Sequence, residues 1–386
     1  MSKLPLHGLT VLEFSQYLSG PSAGLRLADL GARVIKIERP VTGDAGRRLA
    51  IKNLWAEDGS SLLFHTINRN KESFTADLKS SDDLNVVKQL LEKADVVTHN
   101  FRPGVMEQVG LDYKSVQKIN PRIIYAEICG YGKTGPWKDL PGQDLLLQSM
   151  SGLTYTTGNA GDNPTPFGLS IADSLCGAQL VQGVLAALIR RHKTGKGALI
   201  ELSLMESIID FQFELLTTYY NSGKQPKRSG INNGNPLLGA PYGIYPTAEG
   251  YIAIAMVNIQ QLAKAIECTA LEQYTQNDAF AKRDEIKQIL ANHLLNATAD
   301  YWIEKMRTQD LWAMKILNWD QLTQHEAYKV LQMEQPIITQ GGKTILTTRC
   351  PIRINGQRIL SEKPAPLLGD HNEKVGKELL NLITAV

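Results

Sequence analysis

An α/β fold built on a parallel sheet is what this sequence predicts, and three observations predict it. Short apolar strands alternate with helical runs through the first half, the strand ends open repeatedly into basic or glycine-rich loops, and the pattern changes near Gly223. Strand–helix alternation is the mark of βαβ units, whose crossovers lay helices on the faces of a parallel sheet. The expected organisation is a Rossmann-like large domain over residues 1–222, a smaller α+β domain over 223–324, and a segment, 325–386, that returns to the large domain.

Leu9 to Phe14 reads as a buried strand, Ala23 to Leu30 as a helix, and Arg33 to Ile37 as a second strand, which makes the first βαβ unit. The turn inside it, Ser15-Gln-Tyr-Leu-Ser-Gly-Pro21, lacks the G-x-G-x-x-G pattern that cradles a dinucleotide pyrophosphate, so no nicotinamide or flavin site is expected. Further strands are expected at Phe74 to Leu78, Val96 to Thr98, Ile123 to Ile128 and Ala198 to Glu201. Helices are expected at Asp82 to Lys93, Leu145 to Met150, Ala178 to Arg190 and Leu202 to Tyr220. Beyond Gly223 come a strand at Tyr251 to Met256, helices at Gln260 to Thr269, Lys282 to Asn296 and Thr298 to Thr308, a hairpin turn at Gly341-Gly342, and a last helix from Glu373 to Leu382.

Of the 386 residues, 43% are hydrophobic and 21% charged, an ordinary globular balance. The 41 basic and 39 acidic residues leave a net charge of +2, which gives no reason to expect nucleic acid or a membrane surface as partner. Cys129, Cys176, Cys268 and Cys350 form no C-x-x-C pair, so neither a zinc knuckle nor a disulfide framework is suggested. The first residues show no apolar signal region and no run of about 18 uninterrupted apolar residues occurs, so a cytoplasmic protein is expected.

The candidate chemistry centres on Ser170-Ile-Ala-Asp-Ser-Leu-Cys-Gly177. Asp173 stands at or next to the start of a helix, where unpaired N–H groups and the helix dipole favour an anion. That position suits an ordinary capping carboxylate as well as a reacting one. Cations recur at strand ends: Arg39, Arg47 and Arg48 after the second strand, and Arg102, beside Asn100 and Phe101, after the fourth. Parallel topology brings such ends to one edge, where arginines hold phosphates and an aromatic ring stacks on a base.

Read together, these residues resemble the class III coenzyme A transferases, the family of formyl-CoA transferase and carnitine CoA-transferase, from about Leu6 to His371. The resemblance is carried by Gly20-Pro21 with Ala28-Asp-Leu-Gly-Ala32, Val34 to Glu38, Asn70-Lys-Glu-Ser73, Asn100-Phe-Arg-Pro-Gly104, Gly130-Tyr-Gly-Lys-Thr-Gly-Pro136, Ala172-Asp173 and Pro366-Leu-Leu-Gly-Asp-His371. It implies that Asp173 is the catalytic aspartate that becomes acylated, with Asp144 a second acidic group of the same site. It also implies that Arg39, Lys71, Asn100, Phe101 and Arg102 hold the adenosine and phosphates of coenzyme A, and that two chains form an interlocked-ring homodimer. Acyl-CoA is then a substrate, beside a small carboxylic acid, with no permanently bound cofactor and no metal.

The sequence departs from that pattern in three places. Leu18 stands where formyl-CoA transferase has a glutamine that reaches the acyl group, and the Gly230 to Gly243 loop is not that enzyme's glycine run. Gln143 stands where the related α-methylacyl-CoA racemases have a catalytic histidine, and a glutamine cannot titrate. The expected activity is therefore acyl-CoA:carboxylate CoA transfer through a covalent aspartyl intermediate; the alternatives are an acyl-CoA racemase or epimerase and a non-catalytic acyl-CoA binder.

Overall fold

The computed structural model describes residues 4–49, 53–361 and 363–380. Within it, six strands form one parallel sheet: β1 (Thr10–Glu13), β2 (Arg33–Glu38), β3 (Glu72–Thr75), β4 (Val96–His99), β5 (Ile124–Cys129) and β6 (Ala198–Ser203). Their order is β3-β2-β1-β4-β5-β6. The direction of winding reverses between β1 and β4, and in open α/β sheets ligands bind beyond the carboxyl ends of the strands at that switch point.

The helices of this part are α1 (Ser19–Asp29), α2 (Leu62–Asn68), α3 (Ser81–Lys93), α4 (Val105–Gln108), α5 (Tyr113–Ile119), α6 (Asp144–Met150), α7 (Ile171–Thr194) and α8 (Leu204–Phe211). Helix α1 begins four residues before the expected Ala23 and runs through Gly20-Pro21. Pro21 is tolerated because first-turn residues have no intrahelical acceptor for their N–H groups. The expected run from Leu202 to Tyr220 is broken: Ser203 still belongs to β6 and its hydroxyl accepts the Glu206 N–H at 3.0 Å, which starts α8. The Ser203-x-x-Glu206 spacing is a capping-box signal that competed with the apolar periodicity there. The last helix spans Asn372–Leu380, and its expected end at Leu382 lies outside the described residues.

The chain divides into two compact units, one of residues 1–147, 170–211 and 331–386, the other of 148–169 and 212–330. Gly223 thus lies inside the second unit. That unit has an antiparallel sheet, β7 (Gly243–Pro246), β8 (Tyr251–Ile254) and β9 (Ala313–Lys315), over a core of helices that includes Ile259, Leu262, Ile286, Leu290 and Trp302. In the first unit, β10 (Glu334–Ile338) and β11 (Thr344–Thr348) pair antiparallel across the Gly341-Gly342 turn.

One face of the parallel sheet is apolar: Leu12, Phe14, Ile35, Ile37, Val97 and Tyr125 pack under α3 and α5 with Val87, Leu90 and Val116. The other face buries charges against α1. Lys36 Nζ lies 3.0 Å from Glu13 Oε1 and 2.8 Å from Asp44 Oδ2, and Glu38 takes a two-pronged hydrogen bond from Arg47 at 2.7 and 2.8 Å. Gly24 on α1 leaves the room for this, since a Cβ there would fall 1.6 Å from Glu13 Oε2. Helix α7 is by length and composition apolar enough to cross a membrane, but here it packs on β5, β6, α1 and α8.

Lys71 is corrected by this arrangement. Its ammonium is buried and donates to both Glu13 oxygens at 2.9 Å, to the Pro21 carbonyl at 2.8 Å and to Asn68 Oδ1 at 3.0 Å, so no donor is left for a phosphate. Desolvation lowers its pKa to about 8 despite the Glu13 charge. Lys71→Ala leaves Glu13 short of a buried partner and should destabilise the protein by about 3–5 kcal/mol in urea unfolding; a loss under about 1 kcal/mol would mean that water replaces the ammonium.

Candidate active site

Asp173 is the third residue of α7. No side chain of Ser170, the residue before the helix, caps its first turn. Asp144 does so from a distance in sequence: its Oδ2 accepts the Asp173 N–H at 3.1 Å. Two carboxylates are thereby brought together at one helix start, Asp144 being 7% exposed. A close backbone approach fixes the loop that delivers Asp144, because a Cβ on Gly142 would lie 2.8 Å from Gly130 Cα, at the end of β5.

The environment of Asp173 differs from the sequence expectation that the helix start keeps it readily ionised. Desolvation, then the nearby Asp144 charge, push its pKa up to about 6, against a smaller opposing effect of the Ser19 hydroxyl beside it. Burial and a neighbouring like charge both disfavour the ionised form of a carboxyl. Cys176, three residues on, is no rival nucleophile, since burial pushes its thiol up to about 12.

Ser19 was not singled out by the sequence. What brings it here is Gly177, one turn below Asp173 on the same face of α7. A Cβ on Gly177 would meet Ser22 Oγ at 2.5 Å and the Ser19 carbonyl at 2.7 Å, so only glycine lets the start of α1 sit against α7. The Asp173-x-x-x-Gly177 spacing was the available signal. Leu18, the residue before α1, provides no side-chain cap, and the N–H groups of Ser19 and Gly20 meet no acceptor among the described residues.

The other sequence candidates lie at the carboxyl edge of the sheet. Arg39 follows β2 and Arg102 follows β4; both are exposed, and neither guanidinium has a partner among the described residues. Phe101 is half-buried and stacks on His99, with ring centroids 6.0 Å apart. Asn100 spends both ends of its amide on the main chain of Gln16, at 2.7 and 2.8 Å, and not on an open surface. Gln143 is exposed. No cluster of three or more His, Cys, Asp or Glu suited to a metal occurs among the described residues.

Comparison with known proteins gives the class. The profile of CoA-transferase family III matches residues 6–372, and the chain belongs to that family. It is 33% identical to the succinate–glutarate CoA-transferase of Agrobacterium fabrum, over 98% of this chain and 96% of the relative. It is also 33% identical to the acetyl-CoA:oxalate CoA-transferase of Acetobacter aceti, over 97% and 96%. The crystal structure of a CAIB/BAIF family protein from Brucella suis superposes with a TM-score of 0.84 at 31% identity, covering 98% of this chain and all of that one. The protein is thus a class III CoA-transferase with the mixed α/β fold and central parallel sheet of that family.

The raised pKa of Asp173 has a consequence for stability. The folded state holds this proton more tightly than the unfolded chain, so the group's favourable contribution is complete below the unfolded value near 4 and is lost as pH rises through about 6. Asp173→Asn should therefore be more stable than the natural protein at pH 8, by about 1–3 kcal/mol, with the difference vanishing near pH 4. Urea unfolding at the two pH values measures it.

Proposed function

We propose that the protein moves coenzyme A from an acyl-CoA thioester to a free carboxylic acid, with Asp173 as covalent nucleophile. The observation that carries this reading is a carboxylate with a raised pKa, with the Ser19 hydroxyl beside it and the Asp144 carboxylate at the same helix start. A carboxylate near pKa 6 is ionised at neutral pH yet more nucleophilic than an ordinary one.

Asp173 attacks the thioester carbonyl, the C–S bond breaks, and CoA leaves as thiolate, giving an aspartyl acyl anhydride. The thiolate then attacks the Asp173 carbonyl, releasing the donor acid and leaving an enzyme thioester. An acceptor carboxylate attacks that thioester and expels the thiolate, which takes the new acyl group and frees Asp173. Each step passes through a tetrahedral oxyanion, and the N–H groups at the start of α1 are the donors proposed for it. Asp144 holds the first turn of α7 and, through its charge, keeps the nucleophile basic. Gln143 cannot act as an acid or base, which argues against a racemase.

Arg39 and Arg102 are proposed to bind the nucleotide phosphates, one on each side of β1, with Phe101 beside the base. The relatives named above act on succinate, glutarate and oxalate, so short dicarboxylic acids are the first acceptors to try. A homodimer is also proposed. It is supported by apolar side chains left in water on the second unit, among them Met256, Trp312, Met314 and Trp319, each more than 60% exposed.

Asp173→Ala should lower transfer by at least a hundredfold while acyl-CoA still binds, and kcat/KM of the natural enzyme should fall below about pH 6. A variant keeping more than about 1% of the rate would remove Asp173 from the covalent role. Arg39→Ala or Arg102→Ala should weaken acyl-CoA binding by about 1.5–3 kcal/mol and an acyl-pantetheine thioester far less; equal losses would make the arginines structural.

A further inference from the structure

Three hydrogen bonds hold the two residues that lead into Leu18 and α1. Asn100 Nδ2 donates to the Gln16 carbonyl at 2.7 Å, Asn100 Oδ1 accepts the Gln16 N–H at 2.8 Å, and Asp44 Oδ1 accepts the Tyr17 N–H at 3.2 Å. Asp44 is itself fixed, since Oδ1 also takes the Gly46 N–H at 2.7 Å and Oδ2 lies 2.8 Å from the buried Lys36 ammonium. Between these anchors Tyr17 has a φ of +65°, in the left-handed region that a residue with a Cβ enters only when its surroundings impose it. Its side chain is 52% exposed, so packing of the ring is a poor candidate for what holds it there.

We propose that Asn100, together with Asp44, is a positioning residue. It keeps Tyr17 left-handed and so aims Ser19, and the unpaired N–H groups of Ser19 and Gly20, at Asp173. The inference rests on the reading of Asp173 as nucleophile. The clamp straddles the switch point: Asn100 follows β4, Asp44 lies in the loop after β2, and the clamped residues follow β1 between them. The same two loops carry Arg102 and Arg39, so the group that would grip the nucleotide and the group that shapes the acyl end share one scaffold. Binding energy far from the reacting carbon is thereby available to geometry at it.

The test is a double-mutant cycle in which Tyr17→Gly removes the need for the clamp, because glycine takes a positive φ without steric cost. Asn100→Ala alone should lower kcat about 10- to 100-fold, the strain at one such residue being of that order, with KM for acyl-CoA changed less than about threefold. In the Y17G background the same N100A change should cost less than about threefold. Equal losses in both backgrounds, or a loss seen in KM alone, would overturn the clamp and make Asn100 a direct substrate contact. If N100A does not fold, N100D, which keeps the acceptor and loses the donor, runs the same cycle with the same two outcomes. Amide hydrogen exchange over Ser15 to Ser22 reads the clamp without turnover. Faster exchange in N100A supports it and unchanged exchange overturns it, whereas a natural enzyme without any transfer activity would overturn the functional reading instead.

Discussion

The meeting of two carboxylates at the start of α7 is the constraint on which the site depends. Asp144 accepts the Asp173 N–H where a local side chain would ordinarily cap the helix, so the helix start and the second acid are one device. Capping by a charge costs little for the backbone, because an anion at a helix start is favoured. The cost falls on Asp173, which must ionise in a half-buried position beside another negative group, and its pKa rises to about 6. If Asp173 reacts as the proposed nucleophile, its ionised form at neutral pH is kept at the expense of stability, as active-site carboxylates commonly are.

The sheet makes that placement possible through its buried charges. An ordinary βαβ layer would fill the space between β1, β2 and α1 with aliphatic side chains; here Glu13, Lys36, Asp44 and Lys71 fill it. Removing one member of such a set leaves another unpaired, so the network specifies a single arrangement of the loops after β1 and β2. Those loops then reach the switch point between β1 and β4 with Asp44 rigidly held, and Asn100 closes the gap from the other side. Glycine at positions 24, 142 and 177 has the complementary task of letting main chain and carboxylate approach where a methyl group would not fit.

Much of this was legible in the sequence. Strand and helix alternation gave the parallel sheet, and Asp173 before an apolar run fell in the first turn of the longest helix, because both patterns rest on local periodicity. For Lys71 the resemblance implied a coenzyme A contact, and only the fold reveals that Glu13, 58 residues earlier, takes its ammonium. The hydrogen bonds of Asn100 to the Gln16 main chain could not be foreseen, since a main-chain partner has no side-chain signature. Ser19 was missed for the same reason: its closeness to Asp173 is set by Gly177, a spacing that acquires meaning only once two helices are known to touch.

The central claim is that Asp173 becomes an acyl electrophile during turnover. Hydroxylamine added to the enzyme with acyl-CoA and a dicarboxylic acid, followed by mass spectrometry of the peptides, tests it directly. An anhydride or thioester on a side chain reacts with hydroxylamine and a free carboxylate does not, so the account predicts a hydroxamate on Asp173, 15 Da heavier than the acid by the stoichiometry of replacing OH with NHOH, and absent when acyl-CoA is omitted. A hydroxamate on Asp144 alone, or none on any residue while transfer proceeds at its normal rate, would contradict it.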